Sequence, residues 1–180
     1  MSATPQDIVS FWKSAGPAKW FAKSDAFDAA IRERFFDAHF CAARGEYAPW
    51  VENAESALAL IILTDQFPRN LFRNSAHAFA TDAMALSVAR TSLQRGHDAH
   101  CGREMKQFFY LPLMHSENIA DQELCVALCR AHGLGDNIAF AEDHRDIVRK
   151  FGRFPHRNKV FGRITTPQEQ TFLDAGGFAG

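Results

Sequence analysis

Glu52-Asn-Ala-Glu-Ser-Ala-Leu-Ala-Leu-Ile-Ile-Leu-Thr-Asp65 is the stretch on which the fold turns. Its apolar centre, Leu58 to Leu63, has the composition of a buried strand, and as a strand it would make the protein mixed α and β. The flanking Glu52-Asn-Ala-Glu-Ser-Ala is helix-prone, however, and the whole pattern outruns the roughly 4 to 8 residues of such a strand. At about 100° per residue, Val51, Ala54, Leu58, Ile61 and Ile62 fall on one stripe. The spacing therefore predicts a helix opened by Pro49, running from Trp50 to about Asp65, and no other segment competes as a strand.

The punctuation on either side agrees. Thr4-Pro5-Gln6-Asp7 combines an N-cap, a first-turn proline and an acidic third residue before Ile8, Val9, Phe11 and Trp12, and Gly16 closes that helix. Ser24 opens a longer one through Phe27, Ile31 and Phe35 to a stop at Gly45. Thr81-Asp82 caps a helix ending at Gly96. Others run from about Arg103 through Phe108, from about Asn118 to Gly133 and from about Asp136 to Phe151, and Thr166-Pro167-Gln168-Glu169 repeats the first capping signature. The reading is all-α, with about eight helices in a stack of helical hairpins.

The 180 residues suffice for one domain, or at most two closely packed halves, and for a real core. Seventeen Phe against two Tyr make that core Phe-rich, since most of the aromatic mass has no polar handle. Twenty basic residues against twenty-one acidic ones leave no electrostatic footprint for nucleic acid or an anionic membrane. Neither a signal-peptide pattern nor a run of membrane-spanning length is present, so the expected location is cytoplasmic. Cys41, Cys101, Cys125 and Cys129 read as reduced thiols. Cys125 and Cys129 lack the second ligand pair that zinc requires, and no metal or cofactor is expected. The tail from Asp174 to Gly180 is glycine-rich and expected to fray.

Three apolar stripes contain or end in an ionisable group. Asp65 sits at the C-terminal end of the central stripe, where its carboxylate meets the negative end of the helix dipole and needs a cation such as Arg69. His144 lies mid-face among Phe140, Ala141, Ile147, Val148 and Phe151, while Asp146 points the other way and is spaced to pair with Lys150. His115 follows Met105, Phe108, Leu111 and Pro112 in helical register, if the helix persists past the proline. These three are the candidates for catalysis. The competing roles are a core histidine satisfied by a carbonyl and a buried carboxylate that fastens a helix end.

Two turns share a pattern: Asp65-Gln-Phe-Pro-Arg-Asn70 and Phe151-Gly-Arg-Phe-Pro-His-Arg-Asn158. Arg69, Arg153, Arg157 and His156 on these turns suit recognition of a carboxylate or phosphate, with Phe67 and Phe154 as apolar walls and Asn158 beside them. Equally, Arg153 and Arg157 suit bidentate structural pairs to Asp65, Glu117 or Asp143. His97-Asp98-Ala99-His100 reads as a polar loop facing water.

Those two turns resemble the DUF924 family, together with Ala78-Phe-Ala-Thr-Asp82, Phe109-Tyr-Leu-Pro-Leu-Met-His-Ser-Glu117, Ala120-Asp-Gln122 and His144-Arg-Asp-Ile. The resemblance covers most of the chain. It implies an all-helical fold similar to the tetratricopeptide-like superfamily and carries no catalytic residue with it. Three functions follow from the residues: a module binding a small anionic ligand or peptide, which leads; a hydrolase or isomerase with His144 or His115 as base, oriented by Asp65; and a structural or protein-interaction module. Whether the protein is an enzyme is open at this level, as is its oligomeric state.

Overall fold

In the computed structural model, which describes residues 3–178, the Thr4 hydroxyl accepts the Asp7 amide while the Asp7 carboxylate accepts the Thr4 amide. This reciprocal cap starts α1 (Pro5–Ala15). There follow α2 (Pro17–Trp20), α3 (Asp25–Ala43), α4 (Ala54–Ile61), α5 (Phe67–Leu71), α6 (Asp82–Gln94), α7 (Arg103–Met114), α8 (Ile119–Ala131), α9 (Asp136–Phe151) and α10 (Pro167–Asp174). Thr166 and Glu169 cap α10 as Thr4 and Asp7 cap α1. Among the described residues there is no strand, and eight helices have eight residues or more, as the punctuation requires. None is long and apolar enough to cross a membrane.

The chain divides into two units, residues 3–73 with 77–112 and residues 74–76 with 113–178. In the first, α4 and the residues after it are the centre. Residues 56–68 are buried on every face, so this segment is an interior helix rather than an amphipathic one. α1 and α6 pack on α4, and α3 packs on α5. Phe67 is the hub: its ring lies 5.1 Å from Phe35 and 5.7 Å from Trp12, all three essentially without exposure. The Phe-rich core is as the composition predicts.

Three local expectations are corrected here. Pro49 opens only a 3₁₀ turn, Ala48–Glu52. The α-helix starts after Asn53, whose side chain takes the Ser56 amide at 3.2 Å. The helix does not end at Asp65: Ile62–Gln66 form a π-helical turn that leads straight into α5. Pro68 is the reason, because it has no N–H to donate to the Thr64 carbonyl four residues back. The Thr81 hydroxyl donates to that carbonyl instead, at 2.6 Å, and so makes no side-chain cap on α6. Finally, His97 and Asp98 are buried rather than in water. His97 donates from Nε2 to the Val51 carbonyl at 3.1 Å, and the Tyr110 hydroxyl donates to Asp98 at 2.6 Å.

The second unit is built on the α8–α9 hairpin, whose helices are clamped by Arg130 to Glu142 and Arg149 to Glu123. Asp146 pairs with Arg145 and Arg149, not with Lys150. Cys125 and Cys129 are buried within α8 and not in a disulfide. Gln122 reaches back from α8 to donate to the carbonyls of Met114 and Ser116, at 2.6 and 2.7 Å, satisfying groups that the end of α7 leaves open. At the far end of α9, Gly152 adopts φ 70°, and the chain leaves the helix there into the second Phe-Pro turn.

Candidate functional site

Gly152 puts Arg153, Phe154 and the 3₁₀ turn Pro155–Arg157 under the end of α9. Phe154 is fully buried with Ile147 and Val148, and its amide donates to Glu117 at 2.9 Å. Glu117 also receives both ends of the Arg163 guanidinium, at 2.8 and 3.0 Å. Burial pushes the Glu117 carboxyl upward, but the bonds from Arg163 and Phe154 outweigh it, and the group lies below its ordinary value. Arg153 makes the matching bidentate pair with Glu169, at 2.6 and 2.8 Å, and Asn158 approaches the same carboxylate at 3.3 Å. Those bonds, Arg153 first, hold the Glu169 carboxyl at about 2. Arg157 is buried over the Phe154 ring at 4.5 Å and donates to the His115 carbonyl at 3.0 Å.

The Phe-Pro turn of the first unit is tied in the same way. Asp65 has no exposed side-chain surface, accepts from Gln66, and stands 3.4 Å from Arg69. Arg69 grips Asp82 with two bonds of 3.0 and 3.1 Å and donates to the Asp65 carbonyl. Phe67, Phe154 and Asn158 are all at zero exposure, so as walls these residues face the core and not solvent. Arg69 and Arg153 meet carboxylates of the chain itself, which is the fastening role that the sequence left as their alternative.

Within the second unit, several candidates do come together. His144 is buried and donates from Nδ1 to the Phe140 carbonyl at 2.7 Å. Its ring lies 5.5 Å from Phe154 and 4.5 Å from Phe178. His156 meets the same two phenyl rings, at 5.7 and 5.1 Å. Burial first, then the neighbouring Arg157 and His144, push the His156 imidazole down to about 3. His115 follows α7 just past its end and enters this region through its backbone. Asp65, Arg69 and Phe67 belong to the first unit. Among the described residues no set of three His, Cys, Asp or Glu side chains is placed to hold a metal ion.

On the solvent side of this cluster lies a groove of about 350 Å³. Ile147, Phe151, Phe172 and Phe178 form its apolar surface, His144 opens onto it, and Asp143, Asp146 and Lys150 are the charged residues of its lining, with Asp146 already paired to Arg145 and Arg149. Lys150 holds its ammonium 5.0 Å from the Phe151 ring and 5.8 Å from Phe172, and among the described residues it has no carboxylate partner. Sequence reasoning missed this cation because the helical (i, i+4) rule assigned it to Asp146. It also missed Glu169, whose place in a capping box hid its second role toward Arg153. A second opening of about 430 Å³ in the first unit is lined by Gln6, Ser10, Phe11 and Arg34 and by Asp7, which is committed to the helix cap.

Residues 8–177 match the family described as "Bacterial protein of unknown function (DUF924)". The chain belongs to the DUF924 family. It is also similar to a solved structure titled "Structure of Protein of Unknown Function ATU0120 from Agrobacterium tumefaciens", with 52% identity over 96% of this chain and 97% of that one and a TM-score of 0.93. No curated protein matches. The helical architecture of this DUF924 protein is thus shared with a solved relative across almost its whole length, and the site must be read from its own side chains.

Proposed function

We propose that this DUF924 protein is a binding module that takes a small anionic ligand, or an anionic apolar segment of a peptide, in the groove of its second unit. The apolar part of the ligand lies against Ile147, Phe151 and Phe172, and its negative group meets Lys150. One observation carries the reading: Arg69, Arg153 and Arg163 each face a carboxylate of the chain at 3.0 Å or less, whereas the Lys150 ammonium stands over two phenyl rings without one. A cation held over aromatic faces without a carboxylate of its own is open to an incoming anion. The groove volume lies at the low end of the ~300–1,000 Å³ typical of ligand pockets.

Asp143 sits two helical turns before Lys150 on α9, about 10 Å along the axis, and sets the direction of a ligand by accepting a donor at that end. On this reading Arg153, expected to bind the anion, instead holds the wall of the groove rigid through Glu169, as Arg163 does through Glu117. We take the module to be tetratricopeptide-like and cytoplasmic, a compartment in which its four cysteines stay reduced.

The test is a thermal-shift titration with phenylacetate, benzoate and short peptides ending in a phenyl residue, against their alcohol or amide counterparts, on the protein and on Lys150→Gln. The reading expects saturable stabilisation by the carboxylates alone and its loss in the variant. Equal shifts from acid and alcohol, or an undiminished shift in the variant, would remove Lys150 from the site.

A further inference from the structure

Residues 174–178 close α10 and turn the chain. The Gly176 amide donates to the Leu173 carbonyl at 3.1 Å and the Gly177 amide to the Phe172 carbonyl at 3.0 Å, the paired bonds of a Schellman cap, with Gly176 at φ 78°. Gly177 has no room for a side chain: a Cβ there would lie 2.5 Å from the Phe172 carbonyl oxygen and 2.6 Å from its ring. The two glycines turn the chain back toward α9 and lay Phe178 against the histidines, while residues 179 and 180 lie outside the described residues.

Four rings then form a closed circuit of contacts. Phe178 touches His144 and His156, and both imidazoles touch Phe154, with centroids from 4.5 to 5.7 Å and tilted or edge-on planes. These are the geometries that aromatic rings prefer over face-to-face stacking. Phe154 has no exposure and is part of the core, but Phe178 is 37% exposed and lines the groove. The His156 ring that meets it has an Nδ1 that is buried and makes no hydrogen bond. A buried ring nitrogen without a partner is unfavourable, and Phe178, which has only carbon to offer, leaves it so.

We propose that Phe178 is a resident stand-in for the aromatic ring of a ligand, and that His144, Phe154 and His156 form a subsite for a planar aromatic group bearing a hydrogen-bonding substituent, with phenols and indoles as the chemical class. The ligand ring takes the place of Phe178, and its O–H or N–H meets the imidazole edge that the phenyl group cannot satisfy. A phenol O–H both donates and accepts, so either tautomer of His156 serves it, whereas an indole N–H only donates and needs the tautomer whose Nδ1 carries the lone pair. Burial keeps that imidazole neutral across the physiological range, in keeping with an uncharged partner. This inference rests on the groove of the second unit being a ligand site, and it names the chemistry of the end away from Lys150.

The experiment follows the imidazole carbon-bound proton signals of His144 and His156 by NMR while phenol or toluene is added to the protein, to Phe178→Ala and to Gly177→Ala. The second variant keeps the phenyl ring but displaces the tail. Phenol should bind both variants at least about tenfold more tightly than the unmodified protein, because the competent, uncovered form is no longer a minor population. Toluene, equal in shape but without a donor, should bind roughly tenfold more weakly than phenol. Absence of any gain in either variant, or equal binding of phenol and toluene, would overturn the proposal. Repeating the titration in Lys150→Gln separates the two readings. A phenol gain that persists there while carboxylate binding is lost supports both, and a phenol gain without any carboxylate binding in the parent protein sinks only the Lys150 reading.

Discussion

Truncating Arg69 should destabilise the protein more than truncating its partner Asp65, although the two removals break the same ion pair. The asymmetry comes from what each leaves behind. Without Asp65, Arg69 keeps its two bonds to Asp82 and its bond to the Asp65 backbone carbonyl, and its side chain is 21% exposed, so the cation stays paired and partly hydrated. The loss is then that of a hydrogen bond to a charged group, about 1.5–3 kcal/mol. Without Arg69, the Asp65 carboxylate keeps its bond from Gln66 but loses the arginine cation, at zero exposure and within the π-helical turn of a segment buried on every side. Breaking a buried pair in that direction costs about 3–5 kcal/mol. Urea denaturation followed by tryptophan fluorescence reads the right part of the molecule, because Trp12, Trp20 and Trp50 all lie in the first unit with this pair. If Arg69→Ala proves no more damaging than Asp65→Ala, the carboxylate is not held by the arginine and the argument fails.

Glu169 sits at about 2 in the folded protein against an ordinary 4.5, so its stabilising contribution is complete above about 4.5 and is lost as the pH falls toward 2. Chemical denaturation followed by helical circular dichroism should therefore show a flatter stability profile through that window for Glu169→Gln, at the cost of lower stability at neutral pH. His156 has the opposite kind of group but the same sign: its folded value near 3 lies below the ordinary 6.5, the unfolded chain binds the proton more readily, and stability falls on acidification from about 6.5 toward 3. His156→Phe should lose that slope, and denaturation midpoints at pH 7 and 4.5 that differ as much in the variant as in the parent would contradict it. Thr81→Val should cost about 1–3 kcal/mol by leaving the Thr64 carbonyl buried and unsatisfied, and Thr81→Ser should restore most of it in the same fluorescence assay.

Much of the fold was legible because helix boundaries are written within a few residues of themselves. The predicted start at Asp136 and stop at Phe151 are those of α9, and the capping boxes at Thr4 and Thr166 are both made. The site was legible only in part. His144 does face inward, as its place on the apolar stripe requires, and His156 and Arg157 share the Phe154 ring with it or stand on that ring. What sequence spacing missed was who pairs with whom. It offered Lys150 to Asp146 four residues away, whereas Asp146 takes Arg149 and Lys150 goes to the ring of Phe172. It sent His97 and Asp98 to water, whereas Val51 and Tyr110 receive them.

The amino-acid sequence by itself determined the helical class, most helix ends, the Phe-rich core and the family, because caps, glycine stops and apolar periodicity act over three or four residues and need no distant partner. Only the tertiary structure decided which cations are spent on carboxylates and which stand over aromatic rings. Arg153 finds Glu169 16 positions on, Arg163 finds Glu117 46 positions back, and Phe178 finds His144 across a glycine turn. Charge and ring contacts depend on distances of a few ångströms between segments that the folded chain alone brings together.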